Sequence, residues 1–376
     1  MRAALLLILL GTGVVCAQGI IDPARLGPVM KDLEGGGYRD RPLDCEVTPM
    51  RPALNFGFRF QAGYIVRVPM SQYFGPGHLW VIVVRITPEG GTPIYLGSRY
   101  RLPDVPKTKV ELEVGGGYLL GEGKYQASWT MFDDFGRVCR KQWTIQAKLG
   151  HGERHVKVAM PRETVAELSL RGAPGLPRSV DDAAPIRLTV FLHAAPVSPR
   201  RMRLGARDRV MLLGTLSSLL DRLPVRSTRL VVFNLDQQKE LYREDPFAPG
   251  DLGQVAQAID TVELGRVDYH ILQKPSGHLD LLADLLNREL AEKTQSDVVV
   301  FLGPMARFSD KIPSAEMAQG EGIQPRFFYF QYRPPIPQPS TLPDTINQAV
   351  SKMKGKTLVI RTPADFAKAI EQVEKK

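Results

Sequence analysis

The spacing of apolar positions changes along the chain, and each change marks a different kind of structure. The first run, Ala3 to Val15, is almost wholly apolar and follows the single charge of Arg2. It is too short to span a bilayer comfortably. With small residues around Val15-Cys16-Ala17 it has the form of a secretory signal cleaved after Ala17, so residues 1–17 are expected to leave on export. Lipid attachment at Cys16 is the alternative, and the bulky Val15 before it argues against that. Residues 18–42, which include Gly35 to Gly37, are expected to form a loosely ordered leader.

Between residues 43 and 160, short runs rich in Val, Ile, Tyr, Trp and Phe alternate with Gly and Pro. That pattern predicts strands at 45–48, 54–60, 64–69, 79–87, 94–102, 109–114, 125–133, 141–149 and 154–160. Asp133-Asp134-Phe135-Gly136 carries hairpin-turn chemistry, and Gly115-Gly116-Gly117 reads as a turn between strands. Eight or nine strands at this spacing predict an immunoglobulin-like β-sandwich. Residues 161–185 are rich in Pro and Gly without periodicity and are expected to be a linker.

From residue 186 the pattern becomes α/β. Nearly continuous apolar runs at 186–192, 228–234, 297–302, 327–332 and 357–361 predict strands buried on both faces, and 239–243 a short edge strand. Between them, Val210, Leu213, Leu216, Leu220 and Leu223 fall at helical spacing, as do Leu252, Val255, Ile259 and Val262. Further helices are predicted at 279–291, 344–353 and 363–373, with Asp251 and Thr362 as N-caps. The fold class is therefore all-β plus α/β: a sandwich over 43–160, then a doubly wound, mostly parallel sheet over 186–376.

Cysteine usage and charge refine this picture. After signal removal Cys45 and Cys139 remain, an even pair at the two ends of the β-domain. In an oxidising compartment they are expected to form a disulfide rather than two buried thiols. Neither lies in a Cys-x-x-Cys pair, so redox catalysis has no support. The formal net charge is +9 over 376 residues. Arg200-Arg201-Met202-Arg203 lacks interleaved aromatics, which argues against nucleic acid, whereas an anionic polymer or lipid surface is compatible with the excess charge. No later stretch is long and apolar enough to span a membrane.

In an open α/β sheet, ligands bind beyond the carboxyl ends of the strands where the winding reverses. Here that means the loops after Leu192 and Leu302. The segments 188–192, 230–234, 298–302 and 358–366, in that order, resemble the von Willebrand factor A (VWFA) fold over about half the chain. In its exported setting the chain resembles the exported VWFA-related proteins of acidobacteria. The resemblance implies a divalent cation held by Asp-x-Ser-x-Ser after the first strand. The matching segment is His193-Ala194-Ala195-Pro196-Val197, and the later Asp-Gly is replaced by Gly303-Pro304. Hard cations need several oxygen ligands, so no metal and no cofactor are expected. Ser276 would not supply the missing ligands. His151 and His155 sit four apart in a predicted turn and strand, which does not suit a site. His193, His270 and His278 form a conceivable zinc cluster, against which stands the simpler reading of three unrelated loop histidines.

There is no Gly-x-Ser-x-Gly elbow and no phosphate-binding Gly-rich loop. Asp133-Asp134 is better explained by turn chemistry than as a carboxylate pair. The expectation is an exported, non-catalytic protein-binding or scaffolding protein of the cell envelope, periplasmic or extracellular, with a protein partner. Its binding mouth would comprise His193, Ala195, Pro196, Ser276, His278, Gly303 and Pro304. The alternatives are a secreted hydrolase built from scattered residues and a binder of anionic envelope polymer or lipid.

Overall fold

The computed structural model describes residues 18–22, 24, 41–168, 185–198, 201–265, 269–308, 324–333 and 342–375. The signal segment with Cys16, most of the leader, the linker core 169–184, Arg200, the side chain of His270 and the proline-rich stretch 334–339 lie outside these residues. Two compact units are present. The first comprises ten strands. The second comprises the chain from residue 185 together with Leu54–Arg59 and Leu149–Met160.

The first unit holds β1 (Gly19–Ile21), β2 (Arg41–Pro42), β3 (Glu46–Leu54), β4 (Phe60–Pro69), β5 (Leu79–Pro88), β6 (Ile94–Arg101), β7 (Glu111–Leu120), β8 (Gly123–Asp133), β9 (Arg137–Ala147) and β10 (Val165–Glu167). They form two sheets, ordered β1-β6-β5-β8-β9-β2 and β10-β7-β4-β3. Alternation drives this arrangement. Tyr64, Val66 and Val68 of β4 are buried on one face, as are Ile82, Val84 and Ile86 of β5 and Tyr125, Ala127 and Trp129 of β8. The two faces meet where Tyr64 packs edge-on against Trp129 with ring centroids 5.5 Å apart.

Several expectations need correction here. Gly19–Ile21, assigned to a leader, pairs with β6, and Val165–Glu167, assigned to the linker, pairs with β7. Gly115–Gly117 are not a turn but the middle of β7, opposite Ile65, Tyr64 and Gly63. Glycine is required there by close approach. A Cβ on Gly63 would stand 2.2 Å from the Gly116 carbonyl, and one on Gly116 would stand 2.4 Å from the Tyr64 hydroxyl. The predicted strand 154–160 is absent. The chain instead makes a 3-10 turn at His151–Glu153, and His155 hydrogen-bonds the Ala364 carbonyl at 3.1 Å, both within the second unit.

One end of the sandwich is closed by polar contacts from the β8–β9 hairpin. Asp133 Oδ1 accepts from the Phe135 and Arg137 amides, and its Oδ2 accepts from the Tyr73 hydroxyl and the Arg137 guanidinium. That is the turn chemistry expected of the Asp133-Asp134 pair. Beside it, the buried His78 places Nδ1 3.1 Å from Asp134 Oδ2 and Nε2 3.0 Å from the Phe74 carbonyl. Both partners accept, so the doubly protonated ring satisfies both contacts. The disulfide joins Cys45, just before β3, to Cys139 on β9, with Cα atoms 6.3 Å apart and 94 residues between them in sequence. It therefore ties the two sheets together.

The second unit is built on β11 (Ile186–His193), β12 (Val225–Asn234), β13 (Lys239–Glu244), β14 (Val298–Pro304), β15 (Arg326–Tyr332) and β16 (Lys356–Ile360), in the order β13-β12-β11-β14-β15-β16. All neighbours are parallel except β13, which runs antiparallel to β12. The helices are α1 (Ala206–Arg222), α2 (Leu252–Asp260), α3 (Tyr269–Gln273), α4 (Gly277–Ala291), α5 (Thr345–Lys352) and α6 (Pro363–Glu374). Helices α4 and α5 cover Phe191, Phe233, Phe301 and Tyr329 on one face. On the other face Phe366 of α6 meets Phe330 edge-on at 5.9 Å. Cover on both faces explains why β14 is buried at every position. Two cap details differ in kind. Thr362 caps α6 in a capping box with Asp365, whereas the Asp251 side chain at the α2 cap position accepts from the Gln254 side chain and caps no helix amide. Val210, assigned to the apolar stripe of α1, is 46% exposed. Among the described residues no helix is long and apolar enough to cross a membrane.

Two tests follow from the first unit. Replacing both Cys45 and Cys139 by alanine releases a long loop and is expected to cost up to about 4–5 kcal/mol of stability in the chain-entropy account, read as a lower urea midpoint. The second concerns pH. The Phe74 carbonyl foremost, then Asp134, hold the His78 pKa above the ordinary histidine value against the opposing effect of burial. A raised folded pKa stabilises below about pH 6.5, and the gain disappears as pH rises through the folded value. The melting-temperature deficit of His78→Gln should accordingly be larger near about pH 5.5 than near about pH 8.5. An equal deficit at both would show that the ring is not charged in the folded state.

Candidate functional site

The winding of the second sheet reverses between β11 and β14. The chain runs outward from β11 through β12 to β13, then returns to the other side of β11 as β14. The crevice of an open α/β sheet lies at this reversal, beyond the carboxyl ends of the strands. Here the crevice floor is filled by side chains and sealed with hydrogen bonds.

His193 ends β11 and is 1% exposed. Its Nδ1 lies 3.1 Å from the Pro304 carbonyl at the end of β14. A carbonyl only accepts, so Nδ1 carries the proton and Nε2 is the bare nitrogen of the neutral ring. Nε2 has no hydrogen-bond partner among the described residues. Burial, outweighing Asp236, the Pro304 carbonyl and Asp344, holds the His193 pKa below the ordinary value and keeps the ring neutral. The Tyr329 hydroxyl of β15 donates to the same Pro304 carbonyl at 3.0 Å. Gly303 makes the approach possible. Its φ of 148° is glycine territory, and a Cβ there would lie 2.6 Å from the His193 carbonyl oxygen and 2.9 Å from the His193 Cβ.

Three further polar residues tie the surrounding loops. Asn234 at the end of β12 donates to the Ala194 carbonyl at 2.7 Å and accepts from the Gln237 amide at 2.7 Å. Asp208 in the first turn of α1 accepts from the Gly205 amide at 2.9 Å and, over 3.4 Å, from the Val197 amide. Asp344 caps α5. Its Oδ1 accepts from the Ala306 and Ile346 amides at 3.2 Å, and its Oδ2 accepts from the Gln331 amide group at 2.6 Å. Burial pushes the Asp344 pKa up, against the hydrogen bonds from Gln331 and Ala306 that favour the carboxylate.

The residues expected to line a mouth are thus brought together only in part. His193, Gly303 and Pro304 touch one another, and Ala195 and Pro196 are buried beside them. His278 is a separate element, stacked on Phe308 at 3.9 Å with Nδ1 3.0 Å from the Pro275 carbonyl. Ser276 precedes α4 and is the one member of the set that is exposed. The buried members among them form the floor of this edge. Asp208, Asn234, Tyr329, Gln331 and Asp344 carry most of its hydrogen bonds and were missed. Of these, Asp344 ahead of a helical run is the one with a sequence signal, a cap signature.

The donor set does not fit the cation of the VWFA motif. His193 offers a single bare nitrogen amid Ala195, Val197 and Pro304, where hard cations require several oxygens. The oxygens of Asp208 and Asp344 are engaged with amides. Among the described residues no group of three or more His, Cys, Asp or Glu is placed to hold a metal ion.

Exposed apolar side chains occur among the connections above this floor. Of the large hydrophobic side chains that the second unit exposes, Met202 (70%), Tyr269 (69%), Leu272 (64%) and Leu342 (45%) all lie on connections at the carboxyl edge. The Leu264 amide bonds the Met202 carbonyl, and the Gln238 side chain bonds the Lys274 carbonyl, which places these connections side by side.

No family model matches the sequence and no curated protein matches it. Solved structures similar to part of it include the superoxide reductase (neelaredoxin) of Archaeoglobus fulgidus in its reduced form, at 11% identity over 29% of this chain and 99% of that one, with a TM-score of 0.21. The superoxide reductase of Ignicoccus hospitalis matches at 15% identity over 30% of this chain and 89% of that one, TM-score 0.20. A lipoprotein of Bacteroides thetaiotaomicron matches at 12% identity over 31% of this chain and 89% of that one, TM-score 0.18. Likeness at this level assigns no function.

The floor makes a sharp prediction about glycine. Gly303→Ala forces a side chain onto His193 at an unfavourable φ and should cost about 2–3 kcal/mol. Gly214, in α1, has nothing within 4 Å of its would-be Cβ. Gly214→Ala should therefore be neutral or stabilising by about 0.5–1 kcal/mol. Urea midpoints of the two variants check both signs.

Proposed function

We propose that this is an exported, non-catalytic protein-binding or scaffolding protein of the cell envelope, whose VWFA-like α/β unit engages its partner at the carboxyl edge of the sheet without a divalent cation. The observation that carries this reading is the pairing of a hydrogen-bonded floor with an exposed apolar rim. Exposed apolar side chains gathered on one face of a domain are a feature of association surfaces. The floor beneath them uses its polar atoms on itself. His193 and Tyr329 converge on the Pro304 carbonyl, and Asp344 ties β15, α5 and the loop after β14. In a cation-bridged site the metal would draw these loops together, and here hydrogen bonds do so. The strand order with its antiparallel edge strand supports the VWFA reading. The disulfide supports an oxidising compartment outside the cytoplasm.

The test is a quantitative pull-down from envelope extract with residues 18–376 as bait. The same partner should be retained in EDTA and lost with Met202→Ser/Tyr269→Ser/Leu272→Ser, a variant at exposed sites expected to remain folded by circular dichroism. Loss in EDTA with recovery on adding magnesium would refute cation independence. Retention by the triple variant would remove the carboxyl edge as the binding face.

A further inference from the structure

Strand β1 opens on a buried glutamine. Gln18 stands directly before the strand and is 8% exposed. Its Oε1 and Nε2 are both buried, and neither has a hydrogen-bond partner among the described residues. A Cβ on Gly116 of β7 would stand 2.5 Å from Gln18 Oε1 and 2.4 Å from the Tyr64 hydroxyl, so the amide lies against the middle of β7. The strand that follows is fixed in place. Gly19, Ile20 and Ile21 pair with Gly97, Leu96 and Tyr95 of β6, and the Ile20 amide donates to Glu167 Oε1. Ile21 packs so closely that a Cβ on Gly97 would stand 2.0 Å from Ile21 Cδ1. A primary amide held there is costly, because its two N–H donors and its carbonyl are withdrawn from water without return.

Resting on the reading of the chain as exported with cleavage after Ala17, we infer that Gln18 is a modification site, and that the mature chain begins with a pyroglutamyl lactam seated against β7. Cleavage gives Gln18 an α-amine in the same residue as its side-chain amide. The α-nitrogen attacks Cδ, the new N–Cδ bond closes a five-membered ring, and the Cδ–Nε2 bond breaks. Nε2 leaves as ammonia with the proton that the amine gives up, so the step needs no oxidant, reductant or co-reactant. The reacting form is the free amine, which is populated near neutral pH because an α-amino group titrates at about 7.7–8.0. Holding both groups in one residue makes the step unimolecular. Burial favours the product. The uncyclised end brings an ammonium with three donors and an amide with two, and a buried charge is costly unless it is paired. Glu167 beside β1 is the carboxylate at hand, and its Oε1 already accepts from the Ile20 amide. The lactam carries no charge, one N–H and one carbonyl, and so removes the terminal charge as other N-terminal modifications do.

The experiment expresses the full chain with its own signal in a Gram-negative host and reads the N-terminal peptide of the freshly purified periplasmic protein by mass spectrometry. The main species should begin at residue 18 and be lighter than the encoded peptide by one ammonia. It should resist Edman degradation until pyroglutamyl aminopeptidase removes the lactam. Gln18→Asn, whose shorter side chain could close only a strained four-membered ring, should begin at residue 18 with full mass and a free amine. Because that variant keeps an ammonium at a buried end, its urea midpoint should lie below that of the cyclised chain. A wild-type peptide that begins at Gln18 with full mass and a free amine overturns the inference and leaves export intact. Equal urea midpoints overturn the seating of the lactam against β7. A peptide that begins within residues 1–17, a lipidated Cys16 included, overturns the cleavage reading and this inference with it.

Discussion

The carbonyl of Pro304 sets the terms for the second unit. It closes a strand buried at every position, at the point where the sheet winding reverses, and a buried carbonyl without a donor costs more than a hydrogen bond returns. Two donors from different strands meet there, His193 from β11 and Tyr329 from β15. Proline removes the amide at position 304, so the chain has an acceptor to satisfy and no donor to place. Gly303 then turns the backbone close enough for the imidazole to reach. The outcome is that β11, β14 and β15 are joined at their carboxyl ends by side chains, independently of the ladder that joins them along their length. A charged imidazole would double the donors in a space that holds one acceptor for it, which is why burial and neutrality of His193 go together.

The sandwich solves its own edge problem with opposite chemistry. Its open end is held by ionised groups, with Asp133 against Arg137 and Asp134 against His78. The hairpin needs several acceptors at once, and the two aspartates supply them to Tyr73, His78, Phe135 and Arg137. The floor of the α/β unit instead sets neutral donors against backbone carbonyls and the carboxyl groups of Asp208 and Asp344. The contrast follows from what each buried ring meets: the Phe74 carbonyl and Asp134 raise the His78 pKa, whereas burial outweighs the single Pro304 carbonyl contact and lowers that of His193.

Legibility in the sequence follows the same division. Most strands of both units were visible because period-two alternation in β4, β5 and β8, and continuous apolar runs in β11, β12 and β14, are direct records of one-sided and two-sided burial. The disulfide was visible from parity and compartment. What was not visible depended on contacts between distant residues. Gly115 to Gly117 carry a turn signature and yet lie inside β7, because Gly63 and Tyr64 approach from the facing strand and leave no room for a Cβ. Residues 154–160 have strand composition but pack within the second unit. At the site, position identified His193, Gly303 and Pro304, since the topology dictates where strands end. Asp344, Tyr329 and Gln331 carry no local motif for a floor, because each acts through a partner on another element.

Sealing a floor and exposing a rim are two consequences of one constraint. A crevice at a switch point is a concave gap, and here hydrogen-bonded side chains make up its floor. What remains at that edge is a surface of connections, whose side chains the sheet no longer needs for its own core. Met202, Tyr269 and Leu272 are large, apolar and exposed there.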